Sequence, residues 1–92
     1  MENNQRVHVW ISGRVQGVFF RMETQRKAKQ IGVTGWVRNL GDGRVEAVIE
    51  GTGDQVDQMI AWCGNGPPLS RVMEVQRVEE DYSGDFKEFS IV

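Results

Sequence analysis

Residues 13–21 read Gly13-Arg14-Val15-Gln16-Gly17-Val18-Phe19-Phe20-Arg21, a stretch that joins an alternating strand pattern to a helical pattern and contains no acidic residue. A helix start exposes unpaired backbone N–H groups and the positive end of the helix dipole, which Arg21 opposes. A bound anion, with phosphate as the leading candidate, would satisfy these amides together with Arg14 and Arg21. A glycine-rich turn with solvated arginines is the alternative, and the local pattern alone does not decide between them.

Strand and helix patterns surround this loop. Apolar side chains alternate at Val7, Val9 and Ile11, which is typical of a strand with one buried face. Thr52 precedes Gln55 at capping-box spacing and therefore predicts the start of a helix. The complete set of predicted elements is a strand at 6–12, a helix at 22–31, a strand at 34–40, a strand at 44–51, a helix from Thr52 to about Gly64, a strand at 71–79 and a possible short strand at 86–92.

The order of these elements predicts an α+β fold, the ferredoxin-like α/β sandwich (βαββαβ), with both helices on one face of an antiparallel sheet. The Asp42-Gly43 pair predicts a hairpin between the second and third strands. In this topology the first two strands run parallel, with the third between them. The loop after the first strand and Asn39 near the end of the second therefore share one rim, so that Arg21 and Asn39 can face one ligand.

The composition predicts one small domain. The chain has 92 residues and a formal net charge of −2, which argues against the broad basic surface of a nucleic-acid binder and favours a small anionic ligand. We expect a short tail over residues 1–6 and a single domain over 7–92. The first residues lack the basic and apolar regions of a signal peptide and no membrane span is evident, so we expect a cytoplasmic protein. Cys63, the only cysteine, is interpreted as a core residue.

The loop followed by Gly35-Trp36-Val37-Arg38-Asn39-Leu40-Gly41-Asp42-Gly43 resembles the acylphosphatase family, and the resemblance extends from about Val7 to Ile91. It implies a small, cofactor-free hydrolase that cleaves acyl phosphates into a carboxylate and inorganic phosphate, and we expect a monomer that holds no metal. It implies that Arg21 binds phosphate and Asn39 positions water as the catalytic pair. The phosphate-binding residues that it implies are Val15, Gln16, Gly17, Val18, Phe19, Phe20 and Arg21, mainly through backbone amides.

The chain shows no convincing acid–base pair, no nucleophile beside a base and no cluster of metal ligands. A carboxylate leaving group, whose conjugate acid has a pKa of about 4, departs without protonation and needs no general acid. His8, the only histidine, alternates away from the apolar face of the first strand and is interpreted as structural. Without the resemblance, Asn39 would be interpreted as a hairpin residue that bonds its own backbone.

Two other functions remain to be weighed. Trp10 and Trp36 fall on the polar face of their strands and could form an aromatic platform for RNA bases, although the third strand lacks the basic, aromatic-rich motif of RNA-recognition modules. A module that binds phosphate without turnover has the same loop, but the presence of both Arg21 and Asn39 favours catalysis. We therefore expect an acyl phosphate as the partner, and neither nucleic acid nor a membrane.

Overall fold

The strands and helices follow one another in the order predicted from the sequence. The computed structural model describes residues 3–92. The elements are β1 (Asn4–Arg14), α1 (Phe20–Ile31), β2 (Thr34–Asn39), β3 (Val45–Thr52), α2 (Gly53–Asn65), β4 (Arg71–Glu80) and β5 (Phe89–Ile91).

The strands form one five-stranded sheet in the order β4-β1-β3-β2-β5. β1 pairs antiparallel with both β3 and β4, and β2 pairs antiparallel with β3. Because Val45 of β3 lies opposite both Ile11 of β1 and Asn39 of β2, β1 and β2 run parallel and approach the same rim. This register brings the loop after β1 to the same rim as the end of β2.

The hydrophobic core fills the space between one sheet face and the two helices. Val7, Val9 and Ile11 of β1 are fully buried, as the alternation predicts. Both helices contribute to the same cluster, α1 through Ala28 and α2 through Cys63. Burial raises the pKa of the Cys63 thiol to about 12, so the predicted core role of this cysteine agrees with its surroundings. The ferredoxin-like α+β fold is confirmed.

Most element boundaries differ from the sequence prediction by one or two residues; β1, for example, continues to Arg14 instead of ending at residue 12. Residues 4–6, predicted as part of a tail, belong to β1, because Asn4, Gln5 and Arg6 continue its pairing with β3; residues 1 and 2 of that tail lie outside the described part of the chain. α1 begins at Phe20 rather than Met22. The optional fifth strand is present but spans only Phe89–Ile91, and it runs parallel to β2 in an otherwise antiparallel sheet.

The segment between β4 and β5 is attached to the sheet by one buried carboxylate. Glu50 of β3 is 1% exposed, and its oxygens accept hydrogen bonds from the backbone N–H groups of Ser83 and Gly84 and from the Ser83 hydroxyl at 2.9–3.1 Å. A buried carboxylate is stable only when it is paired or hydrogen-bonded. Arg6, with a nitrogen 3.6 Å from Glu50, supplies the opposite charge.

Candidate active site

The loop between β1 and α1 carries two left-handed backbone conformations close together. Gly17 has φ of 73° and Phe19 has φ of 63°, and Phe19 is the only non-glycine residue with a positive φ among residues 3–92. A left-handed conformation costs an ordinary residue about 1 kcal/mol or more and is uncommon for a bulky side chain. Alternation between left-handed and right-handed backbone turns successive N–H groups toward one concave side, which suits an anion.

The N–H groups of this loop and of the first turn of α1 are available to a ligand. Phe19 occupies the N-cap position without a side-chain cap for α1. Among the hydrogen bonds formed by residues 3–92, none is donated by the backbone N–H groups of residues 15–22, and the first amide that returns to the backbone is that of Glu23, which donates to the Phe19 carbonyl. Unpaired amides at the positive end of a 12-residue helix form a site that attracts negative charge.

Arg21 and Asn39 line one pocket in front of these amides, as the predicted topology requires. We call it the loop pocket; its volume is about 320 Å³, and it is lined by Val15, Gly17, Phe19, Phe20, Arg21, Met22, Asn39 and Ile91. Arg21 lies in the first turn of α1 and Asn39 is the last residue of β2. Among the described residues that line the pocket, Arg21 alone has an ionisable side chain, so the only formal side-chain charge in that lining is positive.

Neither polar side chain is engaged elsewhere in the described part of the chain. Arg21 is exposed and forms no salt bridge with any of residues 3–92. The Asn39 amide makes no hydrogen bond with those residues, whereas the neighbouring hairpin is closed by Asp42, which accepts from the Arg44 N–H at 3.0 Å. Asp42 thus does the turn-forming work that the alternative interpretation gave to Asn39. Arg21 and Asn39 are both free to bind a ligand.

The side chains of three other residues in the predicted anion loop, Arg14, Gln16 and Val18, do not line the loop pocket. Gln16 belongs to the loop, but its side-chain amide is turned toward the β2–β3 hairpin and donates to the carbonyl oxygens of Leu40 at 2.7 Å and Arg44 at 2.9 Å. The Val18 side chain packs in the hydrophobic core at 5% exposure. Arg14 is the last residue of β1, paired with Arg71 of β4, and does not line the loop pocket. The pocket geometry therefore does not support the predicted role of Arg14 in binding an anion.

Two lining residues were not predicted from the sequence. Met22 follows Arg21 on α1, and Ile91 is contributed by β5. The helical spacing gave no sign that Met22 is exposed at the pocket. The pairing of Val37 with Ile91 brings the C-terminal strand to this rim, and no local pattern in the sequence indicates which edge of the sheet that strand joins.

His8 lies on the opposite, helix-free face of the sheet, away from the loop pocket. Its two ring nitrogens lie 2.8 Å from a Glu80 oxygen and 2.7 Å from a Glu46 oxygen, and its ring stacks on Trp10 at 4.1 Å between centroids. Both contacts are hydrogen bonds when both nitrogens carry protons. The surroundings are those of a structural histidine, as the sequence analysis predicts.

The same contacts bear on the proposed aromatic platform. Trp10 and Trp36 do lie on the helix-free face, but His8 already covers one face of Trp10, and the Arg38 guanidinium lies 5.2 Å from the centre of Trp36. Glu46 is buried in the middle of this surface. Hydrogen bonds from Arg38 and His8 outweigh the opposing effect of burial and hold the Glu46 pKa below its ordinary value. Because His8 is stacked on Trp10 and Arg38 is paired with Glu46, these groups are already engaged with one another, which disfavours the stacking of RNA bases on this face.

Among residues 3–92, no helix is both long and apolar enough to cross a membrane.

Comparison with known proteins gives a consistent family assignment. The family model described as Acylphosphatase matches residues 7–91. A protein of Syntrophobacter fumaroxidans named Acylphosphatase is 57% identical over 89 residues, which cover 97% of this chain and 92% of that protein. The solved structure of an acylphosphatase from Coxiella burnetii superposes with a TM-score of 0.93 at 39% identity and covers 98% of this chain and 94% of that one. The acylphosphatase from Bacillus subtilis gives a TM-score of 0.92 at 35% identity, with 96% and 98% covered. The chain therefore belongs to the acylphosphatase family, a family of hydrolases, as its sequence predicts.

Proposed function

We propose that the protein hydrolyses acyl phosphates to a carboxylate and inorganic phosphate, with the phosphate group bound in the loop pocket. The observation that carries this proposal is the joint presence of Arg21 and Asn39 in one pocket beside the unpaired amides of the β1–α1 loop. Membership of the acylphosphatase family supports the same reaction. We further propose that the enzyme acts as a cytoplasmic monomer without a metal or cofactor, and that a small acyl phosphate, rather than nucleic acid or a membrane, is its partner.

Arg21 and the amides of residues 15–20 bind the phosphate oxygens in this mechanism. A guanidinium donates two parallel hydrogen bonds that match two oxygens of a phosphate. During phosphoryl transfer the negative charge is spread over the three equatorial oxygens. Donors that are already oriented by the loop and by α1 stabilise this charge without having to reorganise. Such preorganised electrostatic stabilisation is usually the largest single contribution to catalysis.

Asn39 orients the attacking water. Its amide does not titrate in the physiological range, but it can both accept a hydrogen bond from a water molecule and donate one to it. A water held at the end of β2 would then attack phosphorus in line with the leaving carboxylate oxygen. The described residues that line the loop pocket include no carboxylate, histidine or cysteine side chain, so the proton of the water passes to the substrate phosphate or to bulk solvent. This route makes the rate independent of pH between about 6 and 7, where neither carboxylates nor arginines titrate.

The test is release of inorganic phosphate from benzoyl phosphate by the purified protein in excess EDTA. Arg21→Ala should weaken competitive inhibition by inorganic phosphate and lower kcat by about 100-fold or more, because a preorganised donor to the developing charge is lost. Asn39→Ala should lower kcat by a similar factor and leave phosphate inhibition nearly unchanged, since water positioning acts on the rate. Arg77→Ala and Asn65→Ala replace exposed residues outside the pocket and serve as matched controls with wild-type kinetics.

Equal loss of phosphate affinity in Arg21→Ala and Asn39→Ala would contradict this division of roles. Phosphate binding without any turnover would instead leave the protein as an anion-binding module.

A further inference from the structure

A second concave surface, which we call the apolar groove, adjoins the loop pocket. Its volume is about 280 Å³. Six of its lining residues are apolar: Val18, Phe19, Met22, Pro67, Pro68 and Leu69. The one charged lining residue is Glu23, whose carboxylate lies 3.1 Å from a guanidinium nitrogen of Arg26.

The groove contains a cluster of exposed large apolar side chains. Phe19 is 63% exposed, Met22 45% and Leu69 67%. Isolated apolar residues are common on protein surfaces, but a contiguous group of them in a concave site indicates a binding surface. Phe19 also has a left-handed backbone conformation, with φ of 63°. Backbone strain of this kind persists where the fold gains a functional arrangement from it.

The groove and the loop pocket share a wall. Phe19 and Met22 line both, whereas Asn39 lines only the loop pocket and Leu69 only the groove. Residues 67–69 directly precede β4, which pairs with one edge of β1, and Asn39 ends β2, which lies beyond the other edge. The groove and Asn39 therefore lie on opposite sides of the loop that follows β1.

This placement matches the geometry of in-line displacement. The attacking and leaving oxygens stand on opposite sides of phosphorus. If Asn39 holds the water on the β2 side, the carboxylate and its acyl group point toward the β4 side, where the groove begins. An acyl group longer than a methyl extends from the phosphate, over the shared wall of Phe19 and Met22, into the groove.

The apolar lining of the groove and its one carboxylate disfavour polar and negatively charged acyl groups. Apart from the Glu23–Arg26 pair at its border, the lining offers no donor or acceptor side chain. A polar or charged acyl group would lose its hydration there without new hydrogen bonds. An additional carboxylate would also be repelled by Glu23.

We propose that the apolar groove is the acyl-binding subsite and that it favours acyl phosphates with an uncharged, apolar acyl group, aromatic or branched. This inference rests on the proposed function, since it assigns the second half of the same substrate. The groove binds the apolar group by burying its surface and leaves the phosphate contacts unchanged.

The test compares kcat/KM for benzoyl phosphate with kcat/KM for acetyl phosphate, whose methyl group is too short to fill the groove. Leu69→Ala removes exposed apolar surface from the groove and spares the core. We expect it to lower the benzoyl-to-acetyl ratio by about three- to tenfold, less than a closed hydrophobic pocket would give because the groove is open on one side. Leu69→Met should restore most of the ratio. Val78→Ala, which trims another half-exposed apolar residue on β4 away from both sites, should keep the wild-type ratio.

Inhibition by inorganic phosphate provides a second readout, because the inhibitor has no acyl group. It should be the same in Leu69→Ala and in the wild-type enzyme. An unchanged benzoyl-to-acetyl ratio in Leu69→Ala, or an equal loss with both substrates, would overturn the acyl-subsite assignment while the hydrolase assignment stands. Absence of turnover with both benzoyl phosphate and acetyl phosphate would overturn the proposed function and this inference together.

Discussion

Gln16 provides a sharp test of how the loop is held against the hairpin that carries Asn39. Its side-chain amide donates to the Leu40 carbonyl at 2.7 Å and to the Arg44 carbonyl at 2.9 Å. Removal of both hydrogen bonds by Gln16→Ala should lower the free energy of unfolding by about 1–3 kcal/mol, at about 0.5–1.5 kcal/mol for each neutral hydrogen bond. The two carbonyls belong to the turn that directly follows β2.

The same substitution should also affect the reaction. Gln16 does not line the loop pocket, so its effect would be transmitted through the relative position of the loop and Asn39. A displacement of about 1 Å between bound phosphate and positioned water can cost about 100-fold in rate, and we expect a fall in kcat of about ten- to 100-fold. Phosphate inhibition should change less than kcat, because the amides and Arg21 all lie on the loop side.

A second variant at this position separates shape from hydrogen bonding. Gln16→Glu keeps the length of the side chain but places a carboxylate oxygen against two carbonyl oxygens, so repulsion replaces attraction. It should be more destabilising than Gln16→Ala at pH 7. Urea unfolding followed by fluorescence measures the stability, and benzoyl phosphate hydrolysis measures kcat; Gln58→Ala, at an exposed position of α2, is the matched control. Wild-type stability and wild-type kcat in both Gln16 variants would refute the reasoning.

The remaining predictions concern the helix-free face. His8→Ala should keep kcat within about twofold of the wild-type value, and a loss of about 100-fold would instead show general acid–base catalysis by His8. The pKa of Glu80 is lowered, chiefly by its hydrogen bond with His8, and that of Glu46 is lowered too. A lowered pKa means that the unfolded chain binds more protons than the folded protein at the same pH. The stability that these carboxylates provide is therefore fully present above the ordinary glutamate pKa of 4.5. It should be lost as the pH falls through their lower folded values. Urea midpoints between pH 7 and pH 3 should fall less steeply in Glu80→Gln than in the wild type; equal slopes would contradict the prediction.

Much of the fold could be predicted because local and long-range signals agree. The alternation at Val7, Val9 and Ile11 matches the burial of β1, and the Thr52–Gln55 capping box is present, with both of its hydrogen bonds at 3.0–3.2 Å. That Arg21 and Asn39 lie near one another could be predicted from the topology. β1 and β2 both run antiparallel to β3, so they are parallel to each other and their C-terminal ends lie at the same rim of the sheet.

Other features depend on contacts that have no local signature. Phe19 is not a typical N-cap residue, so the early start of α1 could not be read from the residue type. Glu50 occupies an alternating polar position that predicts solvent exposure, but the segment from β4 to β5 covers it. Two further contacts join residues that are distant in the sequence. The Gln16 side chain donates hydrogen bonds to the β2–β3 hairpin, and residues of α1 line the apolar groove together with residues 67–69.

The short β5 has a consequence for association between molecules. An unpaired outer strand presents free N–H and C=O groups that can template the addition of a strand from another chain. β5 covers the outer edge of β2 through residues 89–91, next to the hydrophobic interior and to the loop pocket. The opposite outer strand, β4, is longer but carries several charged residues, among them Arg71, Glu74, Arg77 and Glu79, and charged edges resist such pairing. The C-terminal segment that Glu50 fastens to the sheet contributes Ile91 to the pocket, and we expect the same segment to limit edge-to-edge association at β2.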